Sequence, residues 1–420
     1  MREPLSGGDM LPSPRVLLVG NVPLRDDEGG AGRVLGRLLQ GLPARRVLAL
    51  LPSETLAARP PLGAWSDAAL GYHVPSPVRA LSRSWRRMMR AHASLALHSG
   101  MVAIRRFHPE VLLAAPQSAL DVHLALQAAR ELAVPHAVYL DDGRLLCPDL
   151  DLDAAHVTGE LRALLATAAL RVLGSSSLAR ECVARLGPLA GTALITPRPV
   201  TPGPGPRRGR ADPHRLVISH VGTVEPCHVD ALATLAHAAA LVRRMGLDVC
   251  LRVHTDATSW QRSGLGALSS GVEHAPAPHD VGTVCAQSDW VVMPGSFLAD
   301  WSSLHRCRMP ELLTTVLACG KPVLVVGQRG SACAAWVEEH GAGVVLETPA
   351  PARVAEQLRA VLSDEQAHRE RADAAWRLAV EQCALELLQR KLADALREIP
   401  LTKPARIPGE VRDGGARDAA

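Results

Sequence analysis

Aromatic side chains are scarce in this chain: its 420 residues include two Phe, two Tyr and seven Trp. So few rings argue against the stacking platforms that hold single-stranded nucleic acid. A strong excess of one charge is missing too. The formal net charge is +4, modest for this length, and no nucleic-acid partner is expected. No apolar run reaches the roughly 20 residues that a helix needs to cross a bilayer. The opening Met-Arg-Glu-Pro-Leu-Ser-Gly-Gly-Asp-Met lacks the apolar core of a secretion signal. The nine cysteines stand singly, with neither a Cys-x-x-Cys pair nor the Cys/His spacing of a zinc site. An odd, scattered set without a secretion signal points to a reducing cytoplasm. What is present, 47% hydrophobic and 21% charged residues, reads as a soluble globular protein, long enough for two domains.

Residues 289–330 are the most informative stretch. An apolar run, Trp290–Met293, is followed by a polar loop, a helix and a second apolar run, Val323–Val326. The helix is expected to start at Pro310 or Glu311, because proline suits a first helical turn and an acid there meets the positive helix end. It is expected to stop at Gly320, with Pro322 just beyond. Strand, loop, helix and strand make one parallel βαβ unit. In such sheets ligands bind beyond the carboxyl ends of the strands. The loop 294–310 lies there and carries Ser296, Asp300, Ser302, Ser303, His305, Arg306 and Arg308, a set suited to a polar, anionic ligand.

The run Arg-Met-Pro-Glu-Leu-Leu-Thr-Thr-Val-Leu-Ala-Cys-Gly-Lys-Pro-Val at 308–323 resembles the nucleotide-sugar segment of family-4 glycosyltransferases with the GT-B fold. The positions that match are Arg308, Pro310, Leu317, Ala318, Gly320, Pro322 and Val323. The family's ribose-holding acid falls on Thr315. The resemblance implies an α/β protein of two Rossmann-like parallel-sheet domains facing a cleft, with a final helix crossing back to the first domain. It also implies retaining transfer of a sugar from a nucleotide-diphosphate donor, without a metal or bound cofactor. The acceptor would be a glycan, a lipid-linked molecule or a small molecule.

The order of elements fits this plan. A leader (1–14) precedes an acceptor domain (15–195), a Pro/Gly-rich joint (196–215), a donor domain (216–364), a crossing helix (365–399) and a polar, disordered tail (400–420). Strands are expected at 15–20, 47–51, 111–115, 136–140 and 171–174, then at 216–221, 248–253, 271–274, 289–293 and 323–326. Helices are expected at 119–132, from 178, and at 229–245, 279–287, 310–319, 331–340, 352–363 and 365–397. A further helix opens at Gly29-Gly30-Ala31-Gly32 with Val34, Leu35, Leu38, Leu39 and Leu42 on one face.

Gly30 and Gly32 mark a strand-to-helix junction, where glycine lets backbone amides approach a phosphate or sugar closely. A plain tight turn is the equal alternative, and the dinucleotide fingerprint is not met. Asp141 and Asp142 end the strand 136–140, where the resembled family has a histidine and an aspartate. They are candidates for contacting acceptor hydroxyls or sharing a proton; alternatively one caps the following helix. Gly222, Thr223 and His228 follow the strand 216–221. The family has an arginine where Thr223 stands and a lysine near His228, and those cations neutralise the donor diphosphate. Arg306 and Arg308 are therefore candidates for a bidentate phosphate clamp. His254, Ser296, Pro310, Glu311, Thr314 and Thr315 complete the donor-side set. Asp149, Asp151, Asp153 and Glu160 lack the glycine of a calcium loop, so no metal is expected. The basic segment 79–106, with Arg79, Arg83, Arg86, Arg87, Arg90, Arg105 and Arg106, reads either as a solvated helix or as a face for peripheral contact with the inner side of a membrane. The rival to an enzyme is a degenerate GT-B protein that binds without catalysing, and Thr223 and Thr315 speak for it.

Overall fold

The computed structural model describes residues 13–20, 31–52, 69–72, 83–147, 152–203, 205–206, 215–268 and 271–399. The first lobe runs β1 (Val16–Val19), α1 (Ala31–Leu39), β2 (Val47–Pro52), β3 (Ala69–Tyr72), α2 (Arg83–Phe107), β4 (Val111–Ala114), α3 (Ala119–Leu132), β5 (His136–Leu140), α4 (Leu152–Ala166), β6 (Leu170–Leu173), α5 (Ser176–Leu186) and β7 (Thr192–Ile195). Its strands form one parallel sheet in the order β3-β2-β1-β4-β5-β6-β7.

The second lobe runs β8 (Leu216–Val221), α6 (Val229–Arg244), β9 (Val249–His254), α7 (Ala257–Ser263), β10 (Val272–Ala275), α8 (Val281–Ala286), β11 (Trp290–Pro294), α9 (Ser302–Cys307), α10 (Leu313–Ala318), β12 (Val323–Val326), α11 (Ala332–Glu339), β13 (Gly343–Leu346) and α12 (Pro351–Ser363). Its sheet is also parallel, in the order β10-β9-β8-β11-β12-β13. Central strands such as Val-Leu-Leu-Val and Val-Leu-Val-Val are buried at every position because helices cover both faces. In each sheet the strand order reverses beside the first strand of its lobe, next to β1 and next to β8. At the second of these reversals a cavity lies beyond the carboxyl ends of β8 and β11.

Three strands were not anticipated: β3, β7 and β13. All three are edge strands, four residues each. An edge strand need not be apolar throughout, and β7 leaves Thr192, Ala193 and Ile195 exposed. The helices α4, α7 and α9 were also missed. Residues 152–166 belong to α4, so Asp153 and Glu160 are helical, whereas Asp149 and Asp151 lie outside the described residues.

The carboxyl-terminal segment corrects a second expectation. In place of one helix over 365–397 there are two, α13 (Glu365–Gln382) and α14 (Leu385–Glu398). The chain breaks where the joint between the lobes pairs with it: Val200 N donates to Cys383 O at 2.8 Å and Leu385 N donates to Val200 O at 3.0 Å. α13 buries Ala375, Leu378 and Ala379 in the second lobe with Leu313, Val316 and Leu317. α14 crosses back and buries Leu388, Leu392 and Leu396 in the first lobe with Leu35, Leu38 and Leu39. Gln389 Nε2 donates to Arg37 O at 2.7 Å there. The last helix therefore ties the lobes together, as the resemblance implied.

Candidate functional site

A cavity of about 290 Å³ lies at the carboxyl ends of β8 and β11. It is lined by His220, Val221, Gly222, Met293 and Pro294 at the strand ends, by Thr223, Glu225 and His228 after β8, and by His305, Arg308, Pro310, Glu311 and Leu312 before α10. Gly222 leaves β8 at φ +108°, and a side chain there would point toward Leu312 Cδ1, 3.8 Å away. Glycine is favoured there by the backbone, since a side chain is strained at this φ even where space allows it.

The element expected to start the donor helix is placed differently. α10 begins at Leu313 and has six residues. Pro310 and Glu311 precede it in a turn, so Glu311 is a half-exposed carboxylate lining the cavity instead of a helix-capping acid. Loop 294–310 is also more ordered than expected, with α9 inside it.

Of the residues singled out in the sequence, Gly222, Thr223, His228, Arg308, Pro310 and Glu311 meet at the cavity. Thr314 is buried within α10, and neither it nor Thr315 is among the lining residues. Ser296 is buried and occupied: its hydroxyl donates to Asp230 Oδ2 at 3.0 Å and accepts from Leu298 N at 3.1 Å. His254 ends β9, and its carbonyl accepts from Gly222 N at 2.9 Å. Gly32 lies in the first turn of α1, and Gly30 lies outside the described residues.

The two arginines do not form a paired clamp. Arg306 turns to the first lobe, with Nε 3.2 Å from Glu181 Oε1 on α5. Arg308 stays at the cavity but is held by an acid that sequence reading passed over. Its Nη1 donates to Glu225 Oε2 at 2.6 Å and its Nη2 to Glu225 Oε1 at 2.8 Å. Those hydrogen bonds pull the Glu225 pKa from 4.5 down to about 2. The histidines add no charge at neutral pH. Burial lowers His220 to about 3 and His305 to about 4, and it lowers His228 and His254 as well.

Glu225, Cys227 and His228 form the one group among the described residues whose ligand atoms lie close enough together for a metal ion, within 4.8 Å of one another. Their bonding does not suit one. Both Glu225 oxygens accept from Arg308, Cys227 Sγ donates to Glu225 at 3.6 Å, and His228 Nδ1 accepts from Glu225 N at 3.3 Å. A cation would have to displace a guanidinium and crowd its charge.

The adjacent aspartates on the first lobe have separate environments. Asp142 accepts from Arg144 N at 3.1 Å, closing a local turn, with Arg144 Nε 3.4 Å from its other oxygen. Asp141 is buried; Arg198 Nη2 donates to it at 2.7 Å and Tyr139 Oη at 3.4 Å. Burial raises its pKa above the ordinary 3.8, with Arg198 working against the rise. The same guanidinium reaches the second lobe, where Arg198 Nη1 lies 3.1 Å from Glu311 Oε1. The rim of the cavity is therefore linked to the end of β5 through one side chain of the joint.

No family model and no curated protein matches the chain. Solved structures do. HepE of Anabaena, in complex with UDP, superposes with a TM-score of 0.62 at 15% identity, over 91% of this chain and 99% of that one. The sucrose-phosphate synthase of Thermosynechococcus elongatus gives 0.64 at 12% identity, over 91% and 98%. An α,α-trehalose 6-phosphate synthase from Burkholderia multivorans gives 0.63 at 12% identity, over 92% and 99%.

The fold is GT-B. At identities this low, the GT-B likeness speaks for architecture and leaves chemistry to the site. Within the GT-B frame the cavity belongs to the second lobe, at the reversal of strand order beside β8. Sequence reading named His305 only among the residues of loop 294–310, and it missed His220, Glu225 and Arg198. The one available signal for the last was the Pro-Arg-Pro at 197–199, since flanking prolines hold a side chain on a stiff, extended backbone.

Proposed function

We propose that this chain is a glycosyltransferase that takes a sugar from a nucleotide-diphosphate donor held in the cavity beside β8. The observation that carries the reading is the cavity itself: it opens at the strand-order reversal, is floored by Gly222 at φ +108°, and has the Arg308 guanidinium in its wall. HepE, solved with UDP, shares this architecture. The diphosphate competes with Glu225 for Arg308, and a charge-assisted hydrogen bond to phosphate is worth roughly 1.5–3 kcal/mol. Arg308 then stabilises the leaving phosphate as charge develops on it. The transfer is retaining and needs no metal, in line with the resemblance of 308–323.

The acceptor enters from the first-lobe side. Asp142 is the more exposed of the two aspartates and is the residue that meets its hydroxyl; Asp141 serves by holding Arg198. A peripheral membrane contact would bring a lipid-linked acceptor to this side. α2 carries no acid along its 25 residues, leaves Leu95 and Val102 about two-thirds exposed (66% and 65%), and presents Arg87, Arg105 and Arg106 to solvent. Arginines beside exposed apolar groups favour an anionic lipid surface. Among the described residues no helix is long and apolar enough to cross a membrane.

A second reading has a specific observation behind it. Thr223 and Thr315 stand where the resembled family has a cation and an acid, and Arg308 is already neutralised by Glu225. A protein so arranged could bind a sugar nucleotide without turning it over. The deciding experiment incubates the full chain with UDP-, GDP- and ADP-sugars, with and without anionic vesicles. Release of the nucleoside diphosphate, lost in Arg308→Ala, supports the transferase. Binding without release supports the noncatalytic relative, and neither binding nor release ends both readings.

A further inference from the structure

The cavity is short of cations, and the joint between the lobes holds one that sequence comparison would not place there. Arg198 lies between Pro197 and Pro199, and its backbone is fixed from both lobes. Arg37 Nη1 donates to Pro199 O at 3.1 Å, and Val200 exchanges hydrogen bonds with Cys383 and Leu385. Its side chain is 17% exposed and is shared by two acids of different character. Asp141 is 3% exposed, so its carboxylate needs a permanent partner; Glu311 is 47% exposed and lines the cavity. The two bonds use different nitrogens, Nη2 for Asp141 and Nη1 for Glu311.

We propose that Arg198 is a phosphate-binding residue of the donor site, held on Nη2 by Asp141 while its Nη1 exchanges the Glu311 carboxylate for a phosphate oxygen of the nucleoside diphosphate. The proposal rests on the sugar-nucleotide reading of the cavity. It extends that reading by naming a cation contributed by the joint, at a position outside both lobes' strand ends. The exchange is electrostatically even, since one anion replaces another on a guanidinium that presents five N–H donors. Glu311 is the more exposed acid and can turn into water, whereas Asp141 cannot leave without stranding a buried charge. Each lobe is then felt by the ligand through one residue: phosphate on Arg198 joins the second-lobe cavity to the end of β5.

The test is isothermal titration calorimetry of the full chain with UDP, GDP and ADP, the tightest of them carried forward beside its nucleoside. Arg198→Gln is expected to weaken the diphosphate by about tenfold or more, the loss of one charge-assisted hydrogen bond, and to leave the nucleoside unchanged. A merely structural role would move both ligands together. Glu311→Gln keeps the volume and removes the competing carboxylate from a half-exposed position, and it is expected to tighten the diphosphate. Diphosphate affinity equal to wild type in Glu311→Gln, or equal losses for diphosphate and nucleoside in Arg198→Gln, overturns the proposal while the cavity reading stands. Failure of the unaltered chain to bind any of the diphosphates overturns both.

Discussion

Arg308 and Glu225 face each other as a two-pronged ion pair, with Nη1 on Oε2 at 2.6 Å and Nη2 on Oε1 at 2.8 Å, across 83 positions of sequence. The pair closes one wall of the cavity from inside. It therefore stabilises the ligand-binding wall and opposes the ligand at once, because a phosphate must take the place of the carboxylate.

The first prediction concerns that opposition. Glu225→Gln keeps the volume and removes the charge, so Arg308 is released to a phosphate. Nucleoside diphosphate binding is expected to tighten, and stability at neutral pH to fall by about 1 kcal/mol, the modest value of a partly exposed pair. The sign of the pH dependence follows from the lowered pKa. Glu225 titrates at about 2 in the folded chain and near 4.5 when unfolded. Its contribution is thus fully present above about 4.5 and is lost as pH falls through about 2. Urea denaturation of both proteins checks this: their difference should be constant above that window and shrink inside it.

Acid sensitivity should also arise from the histidines. His220 is fully buried and held to about 3 against an ordinary 6.5. Between those values the unfolded chain binds a proton that the folded chain refuses. Stability therefore rises with pH through the window and is lost on acidification below 6.5, by up to about 1.4 kcal/mol per pH unit for one histidine. His220→Gln is expected to flatten the stability profile between pH 6 and pH 4, read by denaturant midpoints. An unchanged slope would contradict the burial argument.

Two glycines separate lobe contact from helix propensity. A Cβ on Gly143 would fall 2.2 Å from Cys307 Cβ and 2.7 Å from its Sγ, across the lobe boundary. A Cβ on Gly159, in α4, would meet nothing within 4 Å. Gly143→Ala is expected to destabilise by about 1–3 kcal/mol through overpacking, and Gly159→Ala to stabilise by up to about 1 kcal/mol through helix propensity. Thermal denaturation distinguishes them. Equal effects would mean that the lobes do not touch at Cys307.

Much of the fold was legible because central parallel strands are continuous apolar runs: Val323–Val326 and His136–Leu140 have the bounds read from sequence. The edge strands β3, β7 and β13 were not, because a strand with one free side has no need of an unbroken apolar run. The break at Cys383 in the last helix was hidden because its cause, pairing with Val200, lies 183 positions away. The site divides in the same way. Gly222, Arg308 and Pro310 were visible as local features at a strand end or in a run. Glu225 and Arg198 were not, since their roles depend on partners brought together only by folding. The absence of the family's cations at Thr223 and His228 suggested Arg306 and Arg308 as a clamp, and only the packing of α9 against α5 sends Arg306 the other way, to Glu181.

The exposed apolar pair on α2 gives a prediction about location. Sedimentation with vesicles containing anionic phosphatidylglycerol should carry the chain down, and vesicles of neutral phosphatidylcholine should not. Leu95→Glu with Val102→Glu should abolish the association without changing nucleotide binding. Equal recovery with both vesicle types would leave α2 as a solvated surface.

The central claim is that the cavity beside β8 receives a nucleoside diphosphate, and calorimetric titration of the intact chain with UDP, GDP and ADP tests it most directly. Saturable binding of at least one of them, abolished by Arg308→Ala and tightened by Glu225→Gln, is the predicted result. Heats that stay at the dilution baseline for all three, in the unaltered chain and in Glu225→Gln alike, would contradict it.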